Sequence, residues 1–404
     1  MRIWLCLWLF VFCGPLWSEP RDVALVDEVM NKVRENFFDP KFQGANLEAL
    51  QQRAREEIAS TTSWDEKSAV LNRMLAGLKT SHTTYYSPES KGYFEIQGVF
   101  SAFGGGKPKE PSYDGIGMET LTTPEGRFIS ACWAGHPAHK AGLQVGDRIL
   151  SVDGKPFQEV LSFRGKSQVT IRVQPTSQAS SARDIRVPVV SIEAAEAFEK
   201  TLRDSAEVVP VGDKSVAYVH VWSYAGQRYQ DALQELLCEG VLKDCDAAVI
   251  DLRDGWGGAQ AGYLNLFNTR IPRMQMFNRQ RQPFPVESQW RRPAALLVNE
   301  RTRSGKEIVS YGFRAYGMGP VVGTPTPGAC VGGRPYRLEH GGILYLAVAD
   351  VLVDGKRLEG VGVQPDLKVD RLIPYCQGAD PQKEAALKAA AQTLHRPDNQ
   401  PKQP

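Results

Sequence analysis

The chain carries almost no net charge: 48 Lys and Arg stand against 46 Asp and Glu, leaving +2 over 404 residues. That balance gives no basic field for a nucleic acid or an acidic membrane. Histidine is scarce, at six, and neither a CxxC pair nor an HExxH run occurs, so the common zinc spacings are missing. The Walker pattern with its lysine is absent, which removes a phosphate cradle. No internal repeat is present. Beyond the N-terminus, no apolar run approaches the ~20 residues that span a bilayer. What remains is ordinary globular composition, 42% hydrophobic and 23% charged, in a chain long enough for two or three domains.

The N-terminus departs from that composition. Arg2 is followed by an apolar run over residues 3–13, a Gly14-Pro15 break and the small residue Ser18. This predicts a secretory signal peptide over residues 1–18 and an exported chain. Cleavage would remove Cys6 and Cys13 from the seven cysteines, leaving Cys132, Cys238, Cys245, Cys330 and Cys376. An oxidising compartment permits disulfides, with Cys238–Cys245 the first candidate and Cys330–Cys376 the second; five is odd, so at least one thiol stays over.

Periodicity then divides the chain. Residues 19–100 read as helical: Val26, Val29, Met30, Val33 and Phe37 form one stripe, and Leu47, Leu50, Ala54 and Ile58 a second. Ser63-Trp64-Asp65-Glu66 is a capping box opening a third helix, after which His82 follows on a loop. Residues 101–112 are a Gly/Pro-rich linker, and residues 113–190 hold short strands and turns. Residues 191–376 alternate strands with helices, which predicts a layered α/β core. Residues 377–404 are an Ala-rich helix and a polar tail. The fold class is α+β, in several domains.

Two distant runs bring chemistry. Residues 78–83 present His82. Arg303-Ser304-Gly305-Lys306-Glu307-Ile308 presents Ser304 at a strand-to-helix turn. A base and a nucleophile drawn together from afar are what a serine hydrolase needs. Between them, Asp251-Leu252-Arg253-Asp254-Gly255-Trp256-Gly257-Gly258 offers glycine backbone for an oxyanion hole, using the N–H of Gly257 or Gly258 with that of Gly305. Taken alone, Ser304 reads as a helix cap and His82 as a hydrogen-bonded loop residue. Lys306, two residues along the helix from Ser304, is expected to point away from it.

Larger resemblances add to this. Gly115-Ile116-Gly117-Met118, together with residues 137–154, resembles a PDZ domain. Its glycines would turn N–H groups toward a polypeptide C-terminus, and the following strand edge would take an added strand. Residues 216–219, 249–258, 297–308, 321–324 and 360–366 resemble the C-terminal processing peptidases, or tail-specific proteases, whose core is a ClpP/crotonase-like α/β fold. The resemblance places the family's serine on Ser304. The lysine that usually serves that serine falls on Ala329, which accepts no proton. Thr80-Ser81-His82-Thr83 and Leu358-Glu359-Gly360 instead resemble the tricorn-like branch, whose base is a histidine. That implies a Ser304, His82, Glu359 triad, with Glu359 orienting the base directly or through Ser81; Asp366 is the other carboxylate available. The implied function is an exported, periplasmic or secreted, serine endopeptidase acting on protein or peptide substrates. It would need no metal or organic cofactor and have no stable membrane span. The competing reading keeps the PDZ domain with an inactive core that only binds polypeptide C-termini. Ala329 and the unusual Arg301-Thr302-Arg303 favour that reading. Acyl transfer of the crotonase kind is a third, opposed by the signal peptide.

Overall fold

A computed structural model describes residues 21–100 and 111–393. The expected signal peptide, nearly all of the expected linker and the polar tail lie outside the described residues.

Three helices open the described chain: α1 (Arg21–Asn36), α2 (Leu47–Ile58) and α3 (Trp64–Ala76). Ser63 accepts from the Glu66 N–H while Glu66 reaches back to the Ser63 N–H, so the capping box is present. Leu25, Val29, Met30, Ile58, Leu71 and Leu75 are buried together. A short strand, β1 (Thr84–Tyr86), follows, and then a helix the apolar spacing did not announce, α4 (Lys91–Phe100).

The middle domain is a small antiparallel sheet with its own core, including Ile129, Ile149, Ile171 and Val187. A ribbon of β2 (Ser112–Gly115) and β8 (Val190–Glu193) closes its base. Between these run β3 (Met118–Thr123), β4 (Gly126–Cys132), the short helix α5 (Pro137–Lys140), β5 (Arg148–Val152), β6 (Gln168–Gln174) and β7 (Arg183–Pro188), paired in that strand order.

Beyond α6 (Ala194–Asp204) lies a six-stranded sheet. Its members are β9 (Glu207–Val211), β10 (Lys214–His220), β11 (Ala247–Asp251), β14 (Ala294–Val298), β15 (Val321–Gly323) and β20 (Leu367–Lys368). The order is β20-β15-β14-β11-β10-β9, parallel except for β9 at the edge. Every residue of β11 and β14 is buried, as expected where both faces are covered. One face, with Ala217, Val219, Ile250 and Leu296, packs toward α6, α7 (Gln227–Gln234) and α8 (Gly305–Ala315). The other, with Val216, Val249, Leu297 and Val322, is covered by Ala386, Leu387 and Ala390 of α9 (Pro381–Gln392). The C-terminal helix is therefore a structural layer of the core rather than an appendage.

A hairpin, β12 (Met274–Phe277) and β13 (Pro283–Val286), leaves the core before β14. After β15, β16 (Gly332–Arg337) and β17 (Ile343–Ala349) pair, and β1 adds to β17 antiparallel with Thr84 opposite Tyr345. This pairing returns the early helical segment to the core. A two-residue pair, β18 (Leu352–Val353) with β19 (Lys356–Arg357), precedes Glu359.

All five cysteines in the described residues are free, so neither expected disulfide forms. Cys376 lies against the middle domain, its thiol donating to the Val145 carbonyl at 3.1 Å. Cys330 sits instead beside Glu359, which accepts its N–H at 2.7 Å. Cys238 is in the irregular turn ending α7, whereas Cys245 is buried just before β11.

Candidate active site

β11 and β14 are adjacent parallel strands, and their carboxyl ends open on one side of the sheet. Loops at such ends are where α/β sheets build sites. The glycine run follows β11, and Ser304 follows β14 at the start of α8.

Ser304 has φ 60° and ψ −131°, a conformation that costs a non-glycine residue roughly 1–3 kcal/mol. Its surroundings hold it there. The Ser304 N–H donates to the Ala329 carbonyl at 2.8 Å and reaches Glu307 Oε2 at 3.2 Å. Glu307, buried in the first turn of α8, also accepts from Thr326 Oγ1 at 2.6 Å and from the N–H groups of Gly328 and Ala329 at 2.8 and 2.7 Å. One carboxylate thus fixes the loop after β15 against the helix that carries the serine. Burial pushes the Glu307 carboxyl up, while these donors oppose the shift. Nothing in the local sequence pattern announced this role.

His82 arrives from the other direction. Asn72 of α3 brackets β1, donating to the Tyr85 carbonyl at 3.0 Å and accepting the Tyr85 N–H at 2.7 Å. This places the loop before β1 over the cleft. His82 Nδ1 lies 2.8 Å from Ser81 Oγ. Ser81 Oγ donates to Glu359 Oε2 at 2.9 Å, and the Ser81 N–H donates to Glu359 Oε1 at 2.8 Å. A hydroxyl that donates to a carboxylate is left to accept, so Nδ1 carries the proton and Nε2 keeps its lone pair. Glu359 is half-buried rather than solvated, and it also holds the Cys330 N–H. Asp366 is elsewhere, paired with Arg314 at 2.7 Å and with the Val321 N–H. Burial, and then the nearby Arg303 charge, push the His82 imidazolium down to about 4. The ring is therefore neutral near neutrality.

Ser304, His82, Ser81, Gly257, Gly258 and Ala329 line one cleft with about 880 Å³ of open space, walled by Tyr86, Phe100, Trp256 and Tyr345. No hydrogen bond joins Ser304 to His82 across it in this structure. Gly257 lies directly on the serine: a Cβ there would fall 2.6 Å from both the Arg303 carbonyl and Ser304 Cβ.

Lys306, expected to point away from Ser304, is turned into the core. It is fully buried, and its Nζ donates to the Asp254 and Trp222 carbonyls at 2.8 and 3.1 Å. Burial pushes this amine down to about 7. The contact braces the turn that leads into Trp256 and Gly257. Arg303, noted in the sequence only as part of an unusual basic run, stacks on Trp256 with its guanidinium 4.5 Å from a ring centroid. Trp256 Nε1 donates to Glu95 Oε2 at 2.9 Å. Glu95 lies 3.4 Å from Lys91 Nζ, which pairs with Glu119 of β3 and donates to the Met118 carbonyl at 3.2 Å. Lys91, Gly115, Ile116, Gly117 and Met118 line the groove of the middle domain. A chain of buried polar contacts therefore links that groove with the glycine loop beside Ser304.

Other histidines serve elsewhere: His220 meets the Arg253 carbonyl, His340 meets Glu28, and His136 packs edge-on against Trp133. No group of three or more His, Cys, Asp or Glu among the described residues is placed to hold a metal, and no described helix is long and apolar enough to cross a membrane.

Against known proteins, residues 215–369 match peptidase family S41 and residues 128–174 match a PDZ domain. A putative tricorn protease homolog 2 of Streptomyces coelicolor is 25% identical over 392 residues, covering 91% of this chain but 32% of the relative. A carboxyl-terminal-processing protease of Synechocystis sp. is 24% identical over 378 residues, covering 88% of this chain and 83% of the relative. The chain thus spans about a third of the tricorn relative and most of the processing relative. Among solved structures, tricorn protease aligns with TM-score 0.52 at 18% identity, covering 91% of this chain and 36% of that one. Mature CPAF complexed with lactacystin aligns with TM-score 0.52 at 12% identity, covering 91% and 97%. Likenesses at these identities speak for the fold.

Proposed function

Because this chain joins a family S41 peptidase domain to a PDZ domain, we propose that it is a serine endopeptidase in which His82 is the general base and Ser304 the nucleophile. The observation that carries the reading is the run His82 Nδ1, Ser81 Oγ, Glu359 at 2.8 and 2.9 Å, opening on the same cleft as Ser304. It supplies a base where the family's lysine position holds Ala329.

Ser304 Oγ attacks the scissile carbonyl while His82 Nε2 takes its proton. The imidazolium that forms is stabilised through Ser81 by Glu359, then returns the proton to the leaving amine. Water, activated by the same imidazole, releases the acyl group from Ser304. The tetrahedral oxyanion is met by the N–H groups of Gly305 and of Gly257 or Gly258; each such donor is worth roughly 2.7–4 kcal/mol of barrier. Hydrogen bonds of this kind often tighten only with substrate bound, which accommodates the open spacing between Ser304 and His82.

The PDZ groove at Gly115, Ile116, Gly117 and Met118 takes the C-terminus of the polypeptide substrate by strand addition. The apolar run ahead of Ser18 directs export to a periplasmic or extracellular site. The domain limits follow the composition: helical region to residue 100, PDZ domain over 113–190, peptidase core from 191, with α9 sealing that core.

Ser304→Ala tests the reading on an unfolded protein substrate. Cleavage should vanish while peptide binding by the PDZ groove persists. Cleavage at the parent rate, or no cleavage by the parent itself, would leave only the non-catalytic binding role.

A further inference from the structure

The hairpin of β12 and β13 projects from the core between Phe267 and β14. Met274 pairs with Val286 and Met276 with Phe284, so these side chains share one face; Phe277, opposite Pro283, lies on the other. The large apolar side chains are uncovered: Met274 is 57%, Met276 47%, Phe277 53% and Phe284 41% exposed. Arginine surrounds them. Residues 270–287 contain Arg270, Arg273, Arg279 and Arg281, and the single acid Glu287. Glu287 is already engaged by Arg273 and Arg291, at 3.5 and 2.9 Å. Arg279 and Arg281, in the turn between the strands, have no carboxylate within 4.0 Å among the described residues. The near-zero charge of the whole chain conceals this local excess.

We propose that the hairpin docks the protein on an anionic phospholipid surface. Arg279 and Arg281 sit on headgroup phosphates, and Met274, Met276, Phe277 and Phe284 reach the acyl boundary. Two features select this occupant. A second copy packed through the same hairpin would set arginine against arginine. A folded protein partner would cover one face, whereas apolar side chains stand on both; an interfacial layer surrounds an element on all sides. The outer edges of a two-stranded hairpin also leave backbone N–H and C=O groups unpaired. Phosphate and water satisfy these in the headgroup layer, but hydrocarbon does not. The contact is therefore peripheral.

Flotation of the full chain with vesicles of phosphatidylglycerol or of phosphatidylcholine tests this. The unsubstituted chain should float with phosphatidylglycerol, weakly with phosphatidylcholine, and lose binding as salt rises. Arg279→Glu with Arg281→Glu, and separately Met276→Ser with Phe277→Ser, should each weaken flotation roughly tenfold or more. Both variants should keep the parent circular-dichroism melt and the parent rate on a soluble unfolded protein. The full chain retains its apolar N-terminus in every case, so only the difference between variants reports on the hairpin. Equal flotation of parent and both variants overturns the proposal, as does failure of the parent to bind. A dimer seen by light scattering that Phe277→Ser dissociates, with flotation unchanged, overturns it in favour of a second copy.

Discussion

Ser81→Ala is the most informative single change to the proposed machinery. It removes one oxygen and keeps the backbone, so the Ser81 N–H bond to Glu359 at 2.8 Å should survive and hold the loop in place. What is lost is the link between His82 Nδ1 at 2.8 Å and Glu359 Oε2 at 2.9 Å. The Nδ1 proton is then left without its acceptor, at a cost of about 1–3 kcal/mol. If that cost falls on the transition state, where the ring becomes an imidazolium, kcat drops roughly 5- to 150-fold. A complete loss of the correct tautomer sets a ceiling of roughly 10⁴-fold. KM should hold, because Ser81 supports the base and not the bound chain. Ser81→Thr, which retains a hydroxyl, should recover much of the loss. Steady-state kinetics on a quenched-fluorescence peptide would measure both. A Ser81→Ala enzyme that melts like the parent and stays within twofold of its kcat would refute the relay.

Two further outcomes follow from the same geometry. Arg303→Met removes a positive charge beside His82, so the imidazolium becomes easier to form. The acidic limb of kcat/KM, expected at about 4 in the parent, should move up toward the ordinary histidine value of about 6.5; a limb that stays or moves down contradicts the assignment. The sign for stability is the same: the unfolded chain binds this proton at higher pH than the folded one, so stability falls with acid between those values, by up to about 3 kcal/mol. Urea titrations across that window should show the dependence, and His82→Gln should remove it. Gly257→Ala sets a methyl 2.6 Å from Ser304 Cβ and the Arg303 carbonyl. The loop must shift, and kcat should fall on the order of 10²- to 10³-fold with a smaller change in KM; unaltered kinetics would remove this loop from the oxyanion site.

Elements built on local signals were legible before any coordinates. The Ser63–Glu66 capping box, the buried runs of β11 and β14, and the turn at Ser304 are each written in a few consecutive residues. The closeness of Ser81, His82 and Glu359 was available only through family resemblance, since no periodicity relates residues 278 positions apart. The supporting charges were less visible. Glu307 looks like an ordinary first-turn acid of α8, and only the fold of the loop after β15 brings three further donors to it. Lys306 was judged by helical spacing, which describes neighbours on its own helix and not the carbonyls of Trp222 and Asp254 waiting in the core. The polar chain from Glu119 through Lys91 and Glu95 to Trp256 crosses three segments that no local signal relates. The cysteine pairs failed because closeness in sequence and an oxidising compartment say nothing of where each thiol faces.

The pairing of Ser304 with His82 is tested most directly by a fluorophosphonate that labels activated serines. The intact chain should incorporate it at Ser304, located by peptide mass, with a rate that rises through the ionisation of His82. His82→Ala, folded as the parent, should lose at least a hundredfold in that rate. Labelling of Ser304 at the parent rate in His82→Ala would show that another group activates the serine, and the account of this cleft would fail.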